Sequence, residues 1–148
     1  MTYLKHAESY VDLVVYQKAI QLSRRIFAVS KSFTKEELYS LTDQIRRSSR
    51  SVGAQIAEAW AKRRYEKHFA SKLTDADGEQ QETQHWLRVA YDCGYVTPEV
   101  RDELTALCGE IGRMLNSMIG RACEFCGEEP LAVREAAAEY FVASRSDY

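Results

Sequence analysis

Several places in this 148-residue chain hold side chains whose types and spacing could support chemistry. Glu82 and His85, within Glu82-Thr83-Gln84-His85, would share one face of a helix. That is how a Glu-x-x-His pair ligates iron in di-iron bundles, but a full site takes two such motifs and a glutamate from each of two other helices. Here the motif occurs once, and the next helical segment offers Glu99, Glu103 and Glu110 with no histidine. His85 also lies two positions from the seam residues Thr83 and Leu87, which turns it away from the core. A solvated polar face is the expectation, with no bound metal.

Cys123-Glu124-Phe125-Cys126 is a C-x-x-C. A redox motif of that form opens a helix after a strand, and no strand pattern precedes it. Structural zinc takes four ligands. Cys93 and Cys108 would complete a set only if the C-terminal segment folded back over the third and fourth helices, so free thiols are expected. None of His6, His68 and His85 stands beside a serine or cysteine in a catalytic setting. No glycine-rich phosphate loop occurs, and Glu79 with Glu82 reads as an acidic helix surface. The residues predict no enzyme and no cofactor.

The remaining candidate is electrostatic. Residues 46–72 carry eight basic side chains against two acidic ones, Glu58 and Glu66. Arg46, Arg47, Arg50, Lys62, Arg63, Arg64 and Lys67 are the candidate nucleic-acid contacts, because phosphates need lysine or arginine on an accessible face. Trp60, Tyr65 and Phe69 could stack bases beside them. The alternative is pairing within the protein: Asp43 precedes Arg47 by four residues and Glu58 follows Arg50 along the same side. Trp60 and Phe69 also have spacings that suit core packing. Residues 124–148 hold six acids and two arginines, and the whole chain is −2.

The elements that would carry these side chains are helices. Apolar residues recur at alternating three and four positions in four segments, the seam of a packed helix. One runs through Val15, Ala19, Leu22, Ile26, Val29 and Phe33, the next through Leu38, Leu41, Ile45, Ser48, Val52, Ile56 and Ala59. The third passes Phe69, Leu73, Ala76, Gln80, Thr83, Leu87 and Ala90, the fourth Val100, Leu104, Leu107, Ile111, Met114 and Met118. An all-α, antiparallel up-and-down four-helix bundle is the natural solution. Thr34 with Glu37 forms a capping-box pattern that starts the second helix near Lys35. Gly94 suits a left-handed helix end, and Thr97-Pro98 an N-cap with proline at the first helical position. The boundary between the second and third helices falls around residues 61–65. Gly53 would let another helix approach. The first helix carries a second stripe, Leu13, Tyr16, Ile20 and Phe27, and so wide an apolar face makes it the candidate oligomer interface.

Domain organisation follows: a bundle over residues 1–122 and an acidic extension over 123–148, mobile or docked, in which a short fifth helix could start at Glu129-Pro130. No apolar run exceeds four residues, as in residues 13–16. Neither a membrane-spanning helix nor a secretory segment is expected, and the thiols suit a reducing cytoplasm.

The second and third helices also carry a family likeness. Glu37, Tyr39, Leu41, Thr42, Gln44, Ile45, Arg46 and Arg47, then Ser51, Val52, Ile56, Ala57, Glu58 and Trp60, resemble a four-helix bundle family. Its members include proteins encoded in intervening sequences of large-subunit ribosomal RNA genes and the accessory protein of diversity-generating retroelements. The likeness continues through Ala76, Gly78, Glu82, Thr83 and Gln84 to Gly94-Tyr95. Leu13, Tyr16, Gln17, Lys18 and Ala19 at the start, and Arg113, Met114 and Leu115 near the end, fit as well. This chain has Gln55 where the family usually shows asparagine, Ala59 in place of glycine and Gln80 in place of a seam leucine. The resemblance implies a homopentamer and, in the retroelement branch, binding of RNA or DNA and of a reverse transcriptase through a basic surface. It brings no catalytic residues.

Overall fold

The computed structural model describes residues 7–126 of the chain. Among them there is no β-strand; four long helices pack antiparallel around one interior. They are α1 (Val14–Ser30), α2 (Asp43–Ala61), α3 (Glu66–Asp92) and α4 (Pro98–Gly120), followed by a one-turn helix α5 (Ala122–Phe125). Val15, Ile45, Leu87 and Ile111, one from each long helix, are at most 1% exposed. The 3–4 spacing of apolar residues thus faces inward on all four helices, as expected, because only close packing of those stripes removes them together from water.

Two of the three expected boundaries are made as the residue types dictate. Gly94 ends α3 with φ 78°. Thr97 caps α4, its hydroxyl accepting from the Val100 amide at 3.2 Å, with Pro98 at the first helical position. The capping box at Thr34 is not formed. Thr34 makes no cap bond. Its hydroxyl lies 3.1 Å from the Tyr95 hydroxyl, which in turn donates to Glu37 at 3.3 Å. Tyr95 stacks on Phe33, centroids 5.3 Å apart. A residue from the α3–α4 turn has therefore taken both capping side chains, and the chain reaches α2 through a 3-10 turn (Lys35–Glu37) and a π-helical turn (Leu38–Thr42). Between α2 and α3 the break falls at residues 62–65, as predicted.

The core has a polar layer. Ser48 and Thr83 are fully buried with their hydroxyls 2.9 Å apart; one donates to the other, and the acceptor's own hydrogen goes to a backbone carbonyl one turn earlier in its helix. Gln80 is buried in place of an apolar residue, held at 2.8 Å by Asp77. Gly53 does meet α1, but a methyl there would touch Tyr16 Cε2 at an ordinary 3.5 Å. The closer approach is at Gly112 on α4, where a methyl would lie 2.6 Å from Gln80 Nε2 and the glutamine side chain would have to shift. Of the expected extension, residues 123–126 are described: Phe125 is buried and stacks on Phe69, centroids 5.6 Å apart, covering the end of the bundle beside the α2–α3 turn. The helix expected from Glu129-Pro130 lies outside the described residues.

Candidate nucleic-acid and self-association surfaces

Successive helical residues point about 100° apart, so the arginines of α2 diverge. Arg46 and Arg50 face α1. The Arg46 guanidinium lies 4.8 Å from the centroid of the Phe27 ring, that of Arg50 5.7 Å, and the Lys31 ammonium 4.7 Å. Arg46 Nε also donates to Ser30 Oγ at 2.7 Å. None of these three cations has a carboxylate within ion-pair distance among the described residues. A cation over a ring face keeps its charge and most of its hydrogen-bonding capacity, so this patch remains electropositive.

Arg47 points the other way, to α3, where it donates to Glu82 at 3.0 Å and reaches Gln44 at 3.4 Å. Asp43 is not its partner. On the same flank Lys72 pairs with Glu58 at 3.0 Å and Asp75 at 3.7 Å. The hydrogen bond and charge of Lys72 hold Glu58 below the ordinary carboxylate range, and Glu58 raises Lys72 in turn. Glu79, between them, is shifted upward by burial and by the neighbouring Glu82. One of its oxygens is buried with no hydrogen-bond partner.

Lys62, Arg63, Arg64 and Lys67 form a third group in and beside the α2–α3 turn. Arg63 lies 3.5 Å over the Trp60 ring and donates to the Trp60 carbonyl at 2.9 Å. Arg64 stands 5.7 Å from Tyr65. Twelve residues of helix separate Arg50 from Lys62, about 18 Å along the axis. The seven candidate contacts are thus divided among three places. Trp60 and Phe69 are core residues, leaving Tyr65 as the exposed ring of the three proposed stackers.

The expected interface stripe is also divided. Leu13 is a correction: it is 1% exposed, packed into the core beside the start of α1, and cannot face a partner. Tyr16 and Ile20 are half-buried over Gly53, and Tyr16 packs edge-on to Tyr10 at 4.9 Å. Phe27 is exposed, beneath its cations. Leu38, which the spacing places on the buried seam of the second helix, is instead exposed on the π-helical turn, as is Tyr39 beside it.

Glu82 is engaged by Arg47 while His85 is exposed and packs edge-on to Trp86, centroids 4.7 Å apart. Among the described residues no group of three or more His, Cys, Asp or Glu side chains is placed to hold a metal ion. Cys93 and Cys123 are exposed, Cys108 and Cys126 buried. Burial pushes the Cys108 thiol up to about 12, so it stays protonated. No described helix is long and apolar enough to cross a membrane.

What the sequence reading missed lies between α3 and α4. A hollow of about 490 Å³ is bordered by Gln81, Gln84, His85 and Arg88 on one helix and by Arg101, Asp102 and Thr105 on the other. Its cations come from two helices, so no run of charge in the sequence announces it.

A family model described as 23S rRNA-intervening sequence protein matches residues 11–117. A solved structure is also similar, that of a protein of unknown function from the S23 ribosomal protein family of Bacteroides thetaiotaomicron. It is 31% identical with a TM-score of 0.65, over 72% of this chain and 98% of that one. No curated protein matches.

Proposed function

Since the chain belongs to the 23S rRNA-intervening sequence protein family, we propose that it acts without covalent chemistry, as a cytoplasmic scaffold that assembles from copies of itself. The pentamer is the form the family likeness favours. The reading is carried by apolar surface that a lone bundle leaves in water: Tyr39 is 79% exposed, Leu38 47% and Phe27 38%. All three lie towards the end of the bundle where α1 passes into α2, and exposed apolar side chains gathered at one end favour an interaction site there. Tyr16 and Ile20 extend it as a half-buried margin. Sedimentation or light scattering at micromolar concentration should give a discrete oligomer, and Tyr39→Glu with Phe27→Glu should dissociate it. A monomer across that range sinks the reading.

The second reading is a nucleic-acid-binding accessory role, with RNA or DNA as partner and, in a retroelement setting, a reverse transcriptase. The observation that favours it is the trio Lys31, Arg46 and Arg50 over Phe27, charge that the bundle does not neutralise. Binding should weaken steeply with salt and be lost in Arg46→Glu with Arg50→Glu. Reversing Arg63 and Arg64 measures what the α2–α3 turn adds. Absence of binding at low salt, with or without residues 127–148, removes the idea.

A further inference from the structure

We propose that the hollow between α3 and α4 binds a small phosphate-bearing molecule of the size and polarity of a nucleoside monophosphate. Its two ends differ in charge: one is cationic, the other bordered by neutral side-chain amides. At one end Arg88 is exposed and has no carboxylate within ion-pair distance among the described residues. Arg101, facing it from α4, is held in place: its Nε donates to Asp102 at 2.9 Å and its guanidinium lies 4.1 Å from the Tyr91 centroid. His85 borders the same end, fixed edge-on to Trp86. Two guanidiniums against one carboxylate leave an excess of positive charge that favours an anion, and the guanidinium fork matches phosphate oxygens.

At the other end the side-chain amides are linked to one another. Gln84 Nε2 donates to Gln80 Oε1 at 2.7 Å, and Gln80 Nε2 donates to Asp77 at 2.8 Å. Gln81 Nε2 also donates to Asp77, at 3.3 Å. This ladder fixes the amides of Gln81 and Gln84, which border the hollow and keep both acceptor oxygens and second N–H groups for a ligand. Gly112 is what makes room for it, since a side chain there would strike Gln80. Arg88 and Gln81 are seven residues apart on one helix, about 10 Å along its axis. A ligand that satisfies both ends carries an anion at one and neutral hydrogen-bonding groups at the other, as a phosphate and a base do. The volume, about 490 Å³, is within the range of small-ligand sites.

Titration calorimetry of the full chain with adenosine 5′-monophosphate, adenosine and inorganic phosphate tests this. The monophosphate should bind saturably, one per chain, and at least about tenfold more tightly than either fragment. Arg88→Glu should weaken it by about tenfold or more. Gln84→Leu should weaken the monophosphate while leaving inorganic phosphate unchanged. Both positions are on the helix surface, and circular dichroism confirms that the variants fold. Arg46→Glu with Arg50→Glu, on the far flank of the bundle, should leave the monophosphate affinity as it is. Equal affinity for the monophosphate and for phosphate, no saturable binding, or indifference to both variants in folded protein would overturn the proposal.

Discussion

The two flanks of α2 hold their arginines in different ways. Towards α3, Arg47 pairs with Glu82, and beside it Lys72 pairs with Glu58, so cations are matched by carboxylates across the groove. Towards α1, Arg46 and Arg50 meet the ring of Phe27 with no carboxylate near them among the described residues. The same residue type, one position apart, is neutralised on one flank and left available on the other. A count of charge along residues 46–72 therefore overstates the usable charge, and the excess that can attract a partner is concentrated where α1 supplies an aromatic ring.

The largest effect should come from the core that supports both flanks. Ile45→Ala, at a position 1% exposed, should cost about 2–5 kcal/mol in urea unfolding. If the flanks are one cooperative unit, the signals of Trp60 and Trp86 will move together. Next in size, Arg46→Glu with Arg50→Glu should reduce affinity for a polyanion such as RNA by about tenfold or more. Arg47→Glu should change it by less than about twofold, since its charge is already matched. Equal losses from the two flanks would erase the contrast.

A smaller effect sharpens the α3 flank by pH. Glu79 is raised in the folded protein, so the folded state holds its proton more tightly than the unfolded chain does. Its contribution is fully present below the ordinary carboxylate range and is lost as pH rises through the raised value. Glu79→Gln should accordingly stabilise the bundle near neutral pH, by less than about 1 kcal/mol, and the gain should vanish in acid. Glu58 is lowered, so its pairing with Lys72 is kept above the carboxylate range and lost as pH falls. The smallest effect is expected of Lys72→Met: a shift in thermal midpoint detectable only at low salt, because the pair is open to solvent. A midpoint change that persists at high salt would show that this flank is held by something other than ion pairing.

How much of this was legible depends on distance in sequence. The four helical seams, the Gly94 and Thr97-Pro98 turn and the α2–α3 break were all readable, because each rests on spacing or on a backbone preference within a few residues. The capping box at Thr34 failed because Tyr95, some sixty residues away, took both of its side chains. Leu13 was misplaced on an outer stripe because helical phase was extended into a residue that stands before α1 begins. Gly53 looked like the tight crossing, since a glycine inside a helix is conspicuous. Gly112 is the tight one, and only its approach to Gln80 reveals it.

Apolar periodicity dictates a four-helix bundle here, because no other arrangement buries four stripes of that spacing at once, and the residues themselves carry the likeness to the family. The tertiary fold decided which charges survive: whether an arginine meets a carboxylate, an aromatic ring or water depends on the facing helix. It also made the α3–α4 hollow, since Arg88 and Arg101 become neighbours only when two antiparallel helices bring them there.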